Sequence, residues 1–337
     1  MNPTETNGAR LGTRTPIRMI AVDMDGTLVG LNGRVSAENV AALRAAEEAG
    51  VEVVVATGRR HCYAMRILRE LGLGAENALV SSNGTVTRTV GTGTDGTRLI
   101  ERTLMARETA LWLCGHLEEF RNALVITFDK VQPDGEDARG ALVVEELAEL
   151  HGSIGKWMVA NAPYIEHVRP IEQALEGVTG EAPIQMMLCG TIERMRRAEE
   201  RLLEDARVFA PGMSAAERAA TAEITLSRTE YPDRDLSLVD ILPAGCSKGA
   251  ALLRLAATRG IEPAEMMAIG DNWNDLSMVE IAGRAVLMEN APAELKVLAM
   301  ERGWVVGGHH DRHGVARAIT EVLEQNRAAA AARAVVA

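Results

Sequence analysis

"MIAVDMDGTLVG", residues 19–30, decides how this chain is read. Four apolar or small residues, Met19 to Val22, run straight into Asp23-Met24-Asp25, and glycine and threonine follow at once. A short apolar run of this kind is the pattern of a strand buried on both faces. Two carboxylates one residue apart at its mouth repel each other, and burying them costs stability unless a ligand uses them.

Working outward, the same rhythm recurs at both ends of the chain. The apolar stretch 17–22 is followed by a helix capped at Ser36 and stopped by Gly50. The β-branched "VEVVVAT" (51–57) is too short for an ordinary helix and reads as a strand. A helix over 60–71, stopped by Gly72, leads to a third strand, "ALVSSNG" (78–84). The last third supplies a helix over 248–259, strand "MMAIG" (266–270), a short helix from Asp275 and a helix opened by Pro292. Strand "WVVG" (304–307) and a final helix from Gly314 complete it. Apolar strands alternating with helices predict an α/β fold with a doubly wound, Rossmann-like parallel sheet.

The middle, 86–240, has a different texture and reads as a second α/β domain inserted into the first. "TVGTGTDGT" (89–97) is a turn-rich hairpin connection. The outer domain is then discontinuous, 17–85 and 241–325, with a loose arm at 1–16 and an alanine-rich tail at 326–337. Trp157 and Tyr164 read as core of the inserted domain rather than as substrate contacts.

A net charge of −11 disfavours a nucleic-acid partner, although it leaves room for a local anion site. Four scattered cysteines fit neither a zinc site nor a disulfide framework. No signal-peptide core appears, and no apolar run reaches the ~20 residues of a membrane helix. The expectation is a cytoplasmic protein that does not meet a membrane.

Four polar clusters follow the outer-domain strands: Asp23-Met24-Asp25-Gly26-Thr27, Thr57-Gly58-Arg59, Ser81-Ser82-Asn83-Gly84 and Gly270-Asp271-Asn272-Trp273-Asn274-Asp275. Ligands of open parallel sheets bind at the carboxyl ends of the strands, so all four fall on one rim. Asp23, Asp25, Asp271 and Asp275 cannot all be ionised there without a cation, and oxygen ligands suit Mg2+. Thr57, Gly58, Asn83 and Lys248 offer hydroxyl, amide and ammonium donors, which suit a phosphate, and Lys248 opens a helix whose dipole also favours an anion. Aspartate is already an anion at neutral pH and needs no base to attack phosphorus. Asp23 is therefore the candidate nucleophile and Asp25 the candidate acid/base.

"DMDGTLV", "TGR", the Lys248-Gly249 pair and "GDNWND" resemble, in order, the four motifs of the haloacid dehalogenase-like superfamily. "SSNG" and the large insertion after it resemble the Cof-type branch, with its α/β cap. The resemblance implies a phosphatase of small phosphorylated metabolites, sugar phosphates among them, with an aspartyl-phosphate intermediate. It implies Mg2+ bound by Asp23, the main-chain carbonyl of Asp25, and Asp271, with Asp275 in support. Thr57, Gly58 and Lys248 would hold phosphate, with Asn274 facing the phosphate or substrate. A phosphotransferase or mutase of the same superfamily is the alternative enzyme. A non-catalytic phosphometabolite-binding module is the third reading, and the intact Asp23/Asp25 pair argues against it.

Competing readings of the motifs are weaker. A calcium loop starting at Asp23 needs glycine at its sixth place and glutamate at its twelfth, where Leu28 and Arg34 stand. Asn83-Gly84-Thr85 fits a glycosylation sequon that a cytoplasmic protein does not use. "HHDRH" (309–313) suggests a metal through His309, His310 and His313, but reads more simply as a polar loop.

Overall fold

The computed structural model describes residues 15–91, 96–132, 135–146, 155–176, 181–209 and 221–336. Fourteen strands among these residues form two sheets. The larger contains β1 (Met19–Val22), β2 (Glu52–Ala56), β3 (Ala78–Ser81), β4 (Val86–Thr89) and β5 (Leu99–Arg102). From the last third come β12 (Met266–Gly270), β13 (Arg284–Leu287) and β14 (Val305–Val306). The smaller contains β6 (Leu124–Thr127), β7 (Leu142–Val144), β8 (Ile165–His167), β9 (Gln185–Gly190), β10 (Ile224–Tyr231) and β11 (Leu236–Pro243).

The larger sheet runs β14-β13-β12-β1-β2-β3-β4-β5, parallel from β14 through β3. Side chains alternate along each strand, and this sorts the two faces. Ile20, Val22, Val53 and Val55 pack against the helices Ala37–Glu48, His61–Leu71 and Gly314–Val336. Met19, Ala21, Val54 and Ala56 pack the other way, against Lys248–Thr258 and Leu276–Ile281. Both faces are covered, as the unbroken apolar strands require. β1 lies centrally, between β12 and β2, so the Asp23 cluster stands beside the Asp271 and Thr57 clusters.

The expected third strand, 78–84, is shorter: β3 ends at Ser81, and Ser82 and Asn83 adopt left-handed backbone (φ 49° and 51°) that turns the chain back. That turn also corrects the expected start of the insertion at 86. β4 pairs antiparallel with β3 and β5 with β4, so the hairpin extends the larger sheet and covers its open edge before the chain leaves it. The strands flanking the expected connection 89–97 pair antiparallel, and 92–95 of it lie outside the described residues. At the other end, β11 stays in the smaller sheet to Pro243, past the expected exit at 240. The alanine-rich end continues the helix Gly314–Val336, and Asn326 ties it to Ile17 through both main-chain groups. Residues 1–14 of the expected arm lie outside the described residues.

The smaller sheet runs β10-β11-β9-β6-β7-β8, antiparallel except for β7 and β8. Met186, Leu188, Val239 and Ile241 point to the helices Arg107–His116 and Ile192–Leu203. Met187, Cys189, Leu236 and Leu238 point to the opposite side, toward the larger domain. Where the domains meet, Arg88 donates two bonds to Asp129 (2.9 and 2.7 Å), and Arg66 donates to the Tyr164 hydroxyl (2.6 Å). Tyr164 is buried at this seam against Cys62 and Ala141 rather than in the interior of the insertion, and the side chain of Trp157 lies outside the described residues. All four cysteines are unpaired and buried. No helix among the described residues is long and apolar enough to cross a membrane.

Candidate active site

The four strand-end clusters converge. Lys248 is completely buried at the start of its helix, where Ser247 caps the first turn by accepting from Ala250 N. Its ammonium donates to Asp23 Oδ1 and to Asp275 Oδ1, both at 2.6 Å, joining the ends of β1 and β12. Asp275 Oδ2 accepts from the main-chain N–H of Asp271 (2.9 Å) and of Asn272 (3.0 Å), which folds "GDNWND" into a tight turn. Asp271 accepts from the Thr27 hydroxyl (2.9 Å) and from Asn290 (3.3 Å). Gly26 allows this approach: at φ 79°, any Cβ there would sit 2.3 Å from Asp271 Oδ2.

Ligand oxygens of Asp23, Asp271 and Asp275 lie within 4.8 Å of one another, and all three residues are buried. Burial first, then the charge of Asp275, pushes the Asp23 carboxyl up to about 7, with Lys248 pulling against both. Burial and then Asp23 likewise hold Asp271 well above the usual carboxylate range. Burial draws the Lys248 ammonium down, but the charges of Asp23 and Asp275 more than offset it and hold it above its ordinary value. Three buried carboxylates facing one ammonium are short of positive charge. A compact set of oxygen donors with that deficit fits Mg2+.

Asp25 stands apart from this trio. Its half-exposed carboxylate takes two bonds from Arg59, one from Nε at 2.6 Å and one from Nη2. Arg59 in turn stacks over the Tyr63 ring, 4.6 Å from its centroid. The Asp25 side chain is thus engaged by a cation, and the group expected to face a metal at this position is its main-chain carbonyl. Thr57 is buried, and its hydroxyl accepts from Arg59 N (3.1 Å). Gly58 lies against the Asn83 carboxamide, and Asn83 accepts from Asn274 (3.2 Å). All nine expected residues therefore lie on one rim.

Above the rim is a cavity of about 860 Å³, lined below by Asp23, Thr57 and Arg59 and above by Met187, Tyr231 and Leu238 of the smaller sheet. The insertion hydrogen-bonds to the rim. Asn272 exchanges hydrogen bonds with the main chain of Glu230 (3.3 and 3.1 Å), and Asp240 accepts from Asn83 (2.8 Å). Arg59, Tyr231, Asp240, Asn272 and Asn290 were not singled out in the sequence. Asp240 carried a usable signal: a lone carboxylate within the otherwise apolar second half of "LSLVDILP".

The histidine cluster resolves differently. Ligand atoms of His309, His310 and Asp311 are close together, but His313 faces Ser36 and Glu38 instead. His309 Nδ1 accepts from Asp311 N (3.2 Å), so a neutral His309 carries its proton on Nε2 and offers no lone pair there. His310 Nδ1 lies 3.1 Å from the Val29 carbonyl, and Asp311 accepts from Leu31 N (2.9 Å). These contacts hold a loop against the strand-end turn.

A family model described as haloacid dehalogenase-like hydrolase matches residues 20–319. The chain is 30% identical over 321 residues to the 5-amino-6-(5-phospho-D-ribitylamino)uracil phosphatase YwtE of Bacillus subtilis, covering 91% of this chain and 98% of that protein. It is 29% identical over 314 residues to phosphatase YwpJ of the same organism, covering 91% and 100% respectively. A solved haloacid dehalogenase-like hydrolase from B. subtilis superposes with a TM-score of 0.68 at 25% identity, over 90% of this chain and 99% of that one.

Proposed function

The chain belongs to the haloacid dehalogenase-like hydrolase family, and from that premise we propose that it is a Mg2+-dependent phosphatase that hydrolyses a small phosphorylated metabolite through a phosphoryl group carried on Asp23. The observation that carries this reading is the buried Lys248 ammonium 2.6 Å from both Asp23 and Asp275, beside the Thr57-Gly58 turn. It puts a fixed positive charge against the buried carboxylate at the end of β1.

An Asp23 oxygen attacks phosphorus, and the bond from phosphorus to the ester oxygen breaks. Asp25 gives its proton to the departing alkoxide. It then takes a proton from the water that attacks the aspartyl phosphate, which releases orthophosphate and restores Asp23. For this, one Asp25 oxygen exchanges Arg59 for the leaving-group oxygen. Asp23, the Asp25 main-chain carbonyl and Asp271 would hold Mg2+, with Asp275 fixing the turn that carries Asp271. The ion would screen the repulsion between carboxylate and phosphate. Lys248, the Thr57 hydroxyl, the Gly58 amide and Asn274 are the donors for the phosphoryl oxygens, where charge stabilisation carries most of the rate.

The test is orthophosphate release from a panel of phosphomonoesters, pentitol and hexose phosphates included, in excess Mg2+ and in chelator. Metal-dependent release from at least one natural ester is expected. No release from any ester in Mg2+ would overturn the reading, and transfer to an added alcohol in preference to water would replace it with a phosphotransferase.

A further inference from the structure

Asp240 sits where a carboxylate has little reason to be. It lies in β11, between Met187 of β9 and Ser227 of β10, with its main chain in the sheet and its side chain on the cavity side. It is 5% exposed, and burial pushes its carboxyl up to about 7. Among the described residues it makes no ion pair. Its side chain takes one hydrogen bond, from Asn83 Nδ2 at 2.8 Å. A strand position that needed only to pack would carry an apolar residue, as neighbouring Leu236 and Leu238 do on the same face. An anion beside a phosphate site also works against phosphate binding. Some other contribution must offset both costs.

Asn83 supplies it. Its main-chain N–H donates to the Thr57 carbonyl (3.1 Å), and its backbone is left-handed. Its carboxamide lies on Gly58 so closely that a Cβ on that glycine would meet Nδ2 at 3.2 Å. Its Oδ1 accepts from Asn274 Nδ2 at 3.2 Å. A carboxamide has a donor end and an acceptor end of nearly equal size, and packing alone does not choose between them. Asp240 Oδ2 accepts from Asn83 Nδ2, so Asp240 draws that end of the carboxamide to itself and turns Oδ1 toward Asn274. The Asn274 amide is then held by one of its own N–H groups.

We propose that Asp240 is a positioning residue of the phosphate site: it sets the Asn83 carboxamide, and through it Asn274, so that a strand of the insertion completes the cradle around the phosphoryl group. The inference rests on the phosphatase reading above. It makes the insertion part of the phosphate site as well as the wall of the cavity, because β11 bears both Asp240 and Leu238.

The test compares Asp240→Leu, Asp240→Asn, Asn83→Ala and the Asp240→Leu/Asn83→Ala double variant. Two quantities are read: competitive inhibition of acetyl phosphate hydrolysis by orthophosphate, and the rise in melting temperature that orthophosphate produces in Mg2+. Asp240→Leu is expected to weaken orthophosphate in both assays by roughly tenfold, the scale of one lost hydrogen bond to a placed group. Asp240→Asn still offers a carbonyl oxygen to Asn83 and is expected to recover most of that loss. The double variant should bind orthophosphate no more weakly than Asn83→Ala alone. Wild-type orthophosphate affinity in folded Asp240→Leu would overturn the proposal, as would single losses that multiply in the double variant. If Asp240→Leu does not fold, Asp240→Asn with the same affinity as Asn83→Ala overturns it equally. The melting assay needs no turnover, so an enzyme that binds orthophosphate but hydrolyses nothing would defeat the phosphatase reading and leave this one standing.

Discussion

The two sheets meet the same cavity in opposite ways. The larger presents its edge: parallel strands β1, β2, β3 and β12 all end on one side, and their loops bring Asp23, Thr57, Asn83 and Asp271 to one rim. The smaller presents a face: antiparallel strands give no common end, so every second residue of β9 and β11 (Met187, Cys189, Leu236, Leu238) forms a broad wall. Edges concentrate chemistry and faces enclose volume. The division predicts that changes at the edge, and at Asp240 where the face reaches it, cost every substrate alike, whereas changes on the apolar part of the face alter the ranking of substrates.

The largest effect belongs to the edge. Asp23→Asn keeps the shape of the strand end but removes the attacking charge, and hydrolysis of every ester should fall to background, read as orthophosphate release. A variant that still turns over one ester would break the comparison at its centre. Lys248→Met comes next, with at least ~10²-fold loss in kcat/KM, uniform across leaving groups. It also leaves Asp23 and Asp275 facing each other in the interior, and should lower stability in urea by about 3–5 kcal/mol in chelator, less in Mg2+. An unchanged denaturation midpoint in chelator would mean that the two carboxylates find another partner.

A smaller and more selective effect is expected on the face. Met187→Trp fills part of the wall without touching the rim. It should lower kcat/KM for metabolite-sized esters by about tenfold or more and leave acetyl phosphate within about twofold. A uniform loss would show that the wall acts on the chemistry directly, and the distinction between edge and face would fail.

The same difference explains how much could be read without the structure. The rim was legible because each of its parts is local: a carboxylate or a Thr-Gly pair one or two residues beyond a short apolar strand, at ends that parallel pairing brings together. Lys248 was legible for a similar reason, at the start of a helix that a serine caps. What escaped depends on partners far apart in the chain. Arg59 reaches Asp25 across 34 positions, and Asn83 reaches Asp240 across 157. Periodicity assigns a residue to a face but not to the residue opposite it. The hairpin 86–102 was assigned to the wrong domain because its alternating strands suit either sheet, and only pairing with β3 decides between them.

The seam between the two domains belongs to neither edge nor face, and its test is the mildest. His61 begins the helix after the Thr57-Gly58-Arg59 turn and is 3% exposed, with no hydrogen-bond partner among the described residues for either ring nitrogen. It lines a cavity of about 10 Å³ together with Ser82, Asp129 and Asp137, and the Arg88–Asp129 pair is close by. Burial, and then the charge of Arg88, pulls its imidazolium down to about 4. In the unfolded chain the same ring takes up a proton near pH 6.5. Below that pH the unfolded state therefore binds a proton that the folded state refuses, and stability falls as pH drops from 6.5 toward 4. The loss is about 2 kcal/mol by pH 5 from this residue alone. His61→Leu removes the titrating group and forfeits no hydrogen bond, so its melting temperature should fall less than that of the wild type between pH 7.5 and 5. Its substrate ranking at pH 7.5 should match the wild type, because His61 itself does not line the large cavity. Equal acid sensitivity in the two proteins would mean that the folded ring protonates as readily as the unfolded one, through water reaching it along the seam, and that the domains are less tightly joined there than their ion pairs suggest.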